Sequence, residues 1–120
     1  MRHRFLAAVA LGTALGAGAA TPPSFPGGEE QMQDFLSKNI QYPARAQNNG
    51  IEGVVQLTFT VGPDGRIGKI SVERPLDPDL ESEAVRVVRA MPAWVPATDD
   101  NGAPVSQSVS LPVKFRLPAE

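Results

Sequence analysis

"GVVQLTFTVGPDGRIGKISVER", residues 53–74, is the stretch whose reading decides the fold. Val55, Leu57, Phe59 and Val61 alternate with Val54, Gln56, Thr58 and Thr60. That period of two marks a strand over 53–61 with one buried face. "GPDG", 62–65, then breaks the pattern. Its proline presets φ and its glycines free it, so it reads as a turn. "RIGKISVER", 66–74, reads as the returning strand with Ile70 and Val72 inward. The whole stretch is a β-hairpin.

Helical patterns flank the hairpin. Downstream, "DPDLESEAVRVVRAM", 77–91, places Leu80, Ala84, Val87, Val88 and Met91 on one stripe. Asp77 is the expected N-cap and Pro78 suits the first helical position. Acids come early and arginines late, as the helix dipole favours. Upstream, "EEQMQDFLSKNI" sets Met32, Phe35, Leu36 and Ile40 at helical spacing, predicting a helix over 29–39. Pro43 disfavours helical geometry at Tyr42, so that helix ends before the Tyr-Pro step. Tyr42 is then extended, with its ring expected over the core edge. "QNNG", 47–50, reads as a polar turn.

Residues 92–104 carry no periodicity. Trp94, between two prolines, is expected as a lid on the core because of its large apolar area. "VSQSVSLPVKFRL", 105–117, alternates throughout. Val105, Gln107, Val109, Leu111, Val113, Phe115 and Leu117 share one face. Pro112 donates no ladder bond, which puts this strand at a sheet edge.

The order is helix, strand, strand, helix, strand. The last strand fits beside the first, antiparallel, for a spatial order 2-1-3. Each strand has one apolar face, so both helices belong on one side. The expected fold class is α+β, a two-layer sandwich of a three-stranded antiparallel sheet and two helices.

The chain has 120 residues, no cysteine and one histidine, His3. Arg2, His3 and Arg4 precede an apolar run from Phe5 to Ala20 that ends in small residues. Residues 1–20 thus have the layout of a signal peptide. Residues 21–28, "TPPSFPGG", read as a linker, and 29–118 as the domain. Without residues 1–20, nine basic residues face thirteen acidic ones, a net charge of −4. No basic patch suggests nucleic acid. The region after residue 20 has no histidine or cysteine, and the spacing of a calcium loop is absent, so no metal or cofactor is expected. The acids at 77–83 suit a helix start rather than a catalytic cleft, so the chain is not expected to be an enzyme.

"YPARAQ" at 42–47, "IEG" at 51–53, the "PDG" turn, "MPAWVPA" at 91–97 and the terminal "LPVKFRL" form an ordered set. Together they resemble the C-terminal domain of the TonB family, the energy transducers of Gram-negative bacteria. The resemblance runs from "FPGGEE" at 25–30 to residue 117. It implies a periplasmic location, or inner-membrane anchorage if the leader stays uncut. It implies, as partner, an outer-membrane receptor whose extended TonB box pairs with the last strand. By position the partner-binding residues are Asn39, Gln41, Tyr42 and Arg45, with Val105, Gln107, Val109, Leu111, Val113 and Phe115 of that strand. With a cleavable leader in place of a membrane anchor, contact with the ExbB–ExbD motor is not expected, and a linker that reaches at most about 3.3–3.6 Å per residue would not cross the periplasm. The alternative from another class is a structural envelope module that forms a homodimer, or meets the cell wall, through the same edge.

Overall fold

Alternation and capping build the elements where expected. The computed structural model describes residues 20–117; the leader read over 1–20 lies outside the described residues except for Ala20. Helix α1, Glu29–Asn39, starts after Gly28 and carries Glu29 and Glu30 in its first turn. It buries Met32 and Leu36. Helix α2, Ala44–Asn48, follows Pro43. Strands β1, Gly53–Val61, and β2, Ile67–Arg74, form the hairpin. Helix α3, Pro78–Arg89, is capped by the Asp77 carboxylate, which accepts from the N–H of Asp79 at 3.0 Å and of Leu80 at 3.1 Å. Two short strands follow, β3, Ala97–Thr98, and β4, Pro104–Val105, then β5, Gln107–Phe115.

The main sheet has the order β2-β1-β5, with both pairings antiparallel. This is the expected α+β fold. β1 and β5 pair over nine positions without a register break, from Gly53↔Phe115 to Val61↔Gln107. Their inward residues Val55, Leu57, Phe59, Val61, Leu111, Val113 and Phe115 are buried against Met32 and Leu36 of α1 and Leu80, Ala84, Val87 and Val88 of α3. Burying one such aliphatic or aromatic side chain contributes about 1.5–3 kcal/mol, so this single layer dominates stability.

β2 begins one residue later than its sequence pattern implied, because Arg66 belongs to the turn. Gly62 donates to Arg66 O at 2.9 Å and the Asp64 carboxylate accepts the Arg66 N–H at 3.0 Å. The register against β1 then slips twice, with Lys69 at φ 53 inside the first slip. Ile70 and Val72 are consequently half-buried rather than core. A bulged edge is one way to discourage further pairing.

Three other stretches depart from the sequence reading. Residues 21–28 are not a free linker. Ser24 and Val95 exchange hydrogen bonds at 3.0 and 2.8 Å, and Thr98 donates to Thr21 O at 3.1 Å. Phe25 enters the core, its ring 6.0 Å edge-on to Trp94 and 5.8 Å from Phe35. Prolines at 22, 23 and 26 favour extended geometry around these contacts, so the strap forms with little further ordering. Residues 44–48 are helical, so the turn read over 47–50 begins inside a short helix. The helix ends in a Schellman motif: Ile51 donates to Ala46 O at 2.8 Å and Gly50, at φ 67, to Gln47 O at 3.2 Å. Finally, the strand expected over 105–117 is two strands. Val105 pairs with Ala97 in the β3-β4 ribbon, and β5 starts after Ser106.

Trp94 is the core lid that its area suggested. It is buried, edge-on to Phe59 at 5.4 Å. Gly65 lets the hairpin turn close on it: Trp94 N donates to Gly65 O at 2.8 Å. With φ at 85°, a Cβ at Gly65 would lie 2.1 Å from Trp94 O.

Candidate functional site

β5 is the sheet's edge, and among the described residues its outer side pairs with no named strand. Its burial alternates along the whole length. Val109, Leu111, Val113 and Phe115 turn inward and are at most 2 % exposed. Gln107 is also buried, and its Nε2 has no hydrogen-bond partner among the described residues. The expected contact residues of this strand therefore turn their side chains into the core rather than out at the edge. Val105 lies apart from it, half-buried in β4.

The opposite set faces solvent. Ser108 is exposed, while Ser110, Pro112 and Lys114 are half-exposed. Across the ladder they sit beside Thr60, Thr58, Gln56 and Val54. Gln56 Nε2 donates to Ser110 Oγ at 2.8 Å. Pro112 is tolerated in an unbroken ladder because a strand proline turns its ring nitrogen to the free side. The alternation that named the inward set also assigns this row to the outer face, but the expected contact residues were drawn from the inward set alone.

The Tyr-Pro segment flanks the far end of β5. Tyr42 is 8 % exposed, its ring edge-on to Phe115 at 5.6 Å and its hydroxyl donating to Ile51 O. Burial raises the phenol's pKa, and the Glu52 and Asp77 carboxylates raise it further. Arg45 is exposed on α2, with Nε 3.6 Å from Asp79 Oδ2. Asn39 closes α1, its Nδ2 donating to Phe35 O at 2.8 Å. Gln41 is exposed, but its N–H donates to Glu83 Oε2 at 2.6 Å.

That last bond belongs to a knot that the sequence reading took for helix-dipole charge alone. Glu83, on α3, is 9 % exposed. It accepts from Arg86 Nε at 2.8 Å and Nη2 at 2.6 Å, and Arg86 Nη2 also donates to Asn39 O at 2.8 Å. The Glu83 hydrogen bond holds the Arg86 pKa above its ordinary value. One carboxylate and one guanidinium thus fix the path between α1 and α2. An open cleft of about 500 Å³, floored by Val72 and Val85 and rimmed by Arg86 and Arg89, lies at the opposite sheet edge. Among the described residues, no group of three or more His, Cys, Asp or Glu side chains could hold a metal ion. None of their helices is long and apolar enough to cross a membrane.

No solved structure matches the chain. It is 33% identical over 105 residues to Protein TonB of Klebsiella pneumoniae, covering 88% of this chain and 38% of that protein. It is 27% identical over 88 residues to Protein TonB of Helicobacter pylori strain J99, covering 72% of this chain and 30% of that protein. The chain therefore spans about a third of the length of the relatives it matches. The family model for the Gram-negative bacterial TonB protein C-terminal region matches residues 38–117, from the end of α1 through β5. With the fold in agreement over that whole span, the chain belongs to the TonB C-terminal domain family.

Proposed function

We propose that this chain is a periplasmic docking domain for outer-membrane TonB-dependent receptors, serving nutrient uptake. It takes the receptor's extended TonB box as a fourth strand along β5. The observation that carries the reading is the edge itself. β5 is nine residues long, locked to β1 without a slip, and paired on one side only among the described residues. An added strand gains affinity from main-chain hydrogen bonds and selectivity from alternate side chains. β2, the other edge, is bulged and suits this less well. Pro112 removes one donor from the edge, a loss of about 0.5–1.5 kcal/mol, which weakens docking at its middle without abolishing it. Arg45 and Asn39 flank the end of the docked segment, with Tyr42 beneath as support. The domain binds and does not catalyse.

The test is an NMR titration of the isotope-labelled chain with TonB-box peptides and a scrambled control. Amide shifts confined to residues 107–115 and 39–45 are expected. Their absence at millimolar peptide would refute docking at this edge. The same edge suits a second copy of the chain; a concentration-dependent mass with no peptide response would establish the envelope-module reading instead.

A further inference from the structure

The outward row of β5 is chemically ordered, and it reads as a template. In register with β1, four rows of side chains cross the exposed face of the sheet. Thr60 lies beside Ser108, Thr58 beside Ser110, Gln56 beside Pro112, and Val54 beside Lys114. A strand added to β5 places its own outward residues at the open end of each row, spaced two residues apart. Each row offers the newcomer a different chemistry.

Ser110 Oγ already accepts a hydrogen bond from Gln56 Nε2. A serine hydroxyl that accepts still has its own proton to donate, so this row favours a hydroxyl or amide neighbour. Pro112 offers an apolar ring and no main-chain donor, so its row favours an apolar neighbour. Lys114 makes no ion pair among the described residues, and its half-buried side chain lies beside Val54, which is 40 % exposed. An aliphatic stem against an apolar neighbour with the charge at the tip is the usual lysine arrangement. This row favours an acid, since opposite charges on neighbouring strands attract.

We infer that β5 selects extended peptides with an acidic residue opposite Lys114, an apolar residue two positions away and a hydroxyl-bearing residue four positions away. Lys114 is the specificity-determining residue. The inference rests on the docking reading above and adds the pattern that the docked segment must carry.

The test uses fluorescence anisotropy on the full chain with labelled eight-residue peptides. One carries Glu, Val and Thr at alternate positions, made in both chain orders. A second carries Lys in place of Glu, and a third is a scrambled control. Cross-strand charge pairs of this kind predict a preference of about two- to five-fold for Glu over Lys, shrinking at high salt. The variant Lys114→Glu, altered at a half-exposed side chain, should bind the Lys peptide better than the Glu peptide. That exchange of preference would support the inference, because a loss of folding lowers binding of both peptides together. Equal binding of both peptides to both proteins would overturn the selection by Lys114 while leaving docking intact. Binding of none of the peptides, with TonB-box peptides also silent, would overturn docking and the template with it.

Discussion

Removing the Glu83 carboxylate should loosen the whole Tyr-Pro side of the domain. Three hydrogen bonds end on it, from Gln41 N–H at 2.6 Å and from Arg86 Nε and Nη2 at 2.8 and 2.6 Å. Hydrogen bonds to charged groups contribute about 1.5–3 kcal/mol each. The Arg86 side chain is 50 % exposed, so its share is closer to the ~0.2–1 kcal/mol of a partly solvated ion pair. The Gln41 bond keeps nearly its full value, because the carboxylate end is buried. Alanine is the better helix former, which returns a few tenths of a kcal/mol, roughly. Glu83→Ala should therefore cost about 2–3 kcal/mol. For a domain near 100 residues that is a fall in Tm of roughly 10–20 °C.

Urea titration followed by fluorescence suits the measurement, since Trp94 is the chain's single tryptophan. Glu83→Gln keeps an acceptor for Gln41 and should lose only about half as much. Asp34→Ala breaks an exposed pair with Lys38, whose side chains are 72% and 54% exposed. It should cost no more than about 0.5 kcal/mol. If Glu83→Ala costs no more than Asp34→Ala, the knot is ornamental and the reasoning fails. Faster hydrogen exchange at the Gln41 amide alone would locate the damage at the α1–α2 connection.

The remaining predictions concern single contacts. Tyr42 is the only tyrosine, so phenolate absorbance reads it directly; its raised pKa means that the unfolded chain ionises first and stability falls as pH rises above about 10. Tyr42→Phe should remove that alkaline loss from the unfolding midpoint and cost about 1 kcal/mol at neutral pH through the Ile51 bond; an unchanged alkaline profile would refute the assignment. Gly65→Ala combines a φ of 85° with a Cβ 2.1 Å from Trp94 O and should cost well over 1 kcal/mol; a neutral effect in thermal unfolding would show that the turn moves freely. Phe25→Ala should cost about 3–5 kcal/mol, as for a buried aromatic, whereas a true linker residue would change stability by no more than about 0.5 kcal/mol.

Much of the scaffold was written in short-range pattern. β1 and α3 follow from alternation and from Asp77-Pro78 because both signals are local and strong. The strap over 21–25 was hidden for the opposite reason. Phe25 sits in a proline-rich run that has the composition of a linker, and contacts some seventy residues away, of Ser24 with Val95, of Thr21 with Thr98 and of the Phe25 ring with Trp94, make the run part of the fold. Helix α2 was too short for periodicity, yet its Schellman end was announced by the glycine of "QNNG". The split at Ser106 was invisible because β4 and β5 continue one alternation while changing partners. Glu83 looked like its acidic neighbours at 77, 79 and 81. Its face of α3, three residues after Leu80 and one before Ala84, was the clue that it turns inward.

The candidate site was legible as a strand but not as a surface. Family resemblance pointed to the last strand, and the reading then took its apolar set, Val109, Leu111, Val113 and Phe115, as contact residues. A period of two assigns each residue to one face only, and burial had already claimed that set for the core. Two kinds of substitution therefore separate cleanly. Val113→Ala removes buried methyl groups at a fully buried position. It should weaken docking only to the extent that it unfolds the domain, by about 0.5–3 kcal/mol. Lys114→Glu changes a half-exposed side chain and should alter which peptide docks while leaving the unfolding midpoint within about 0.5 kcal/mol. If Val113→Ala altered peptide preference at unchanged stability, the inward residues would be touching the ligand, and the strand-addition geometry would be wrong.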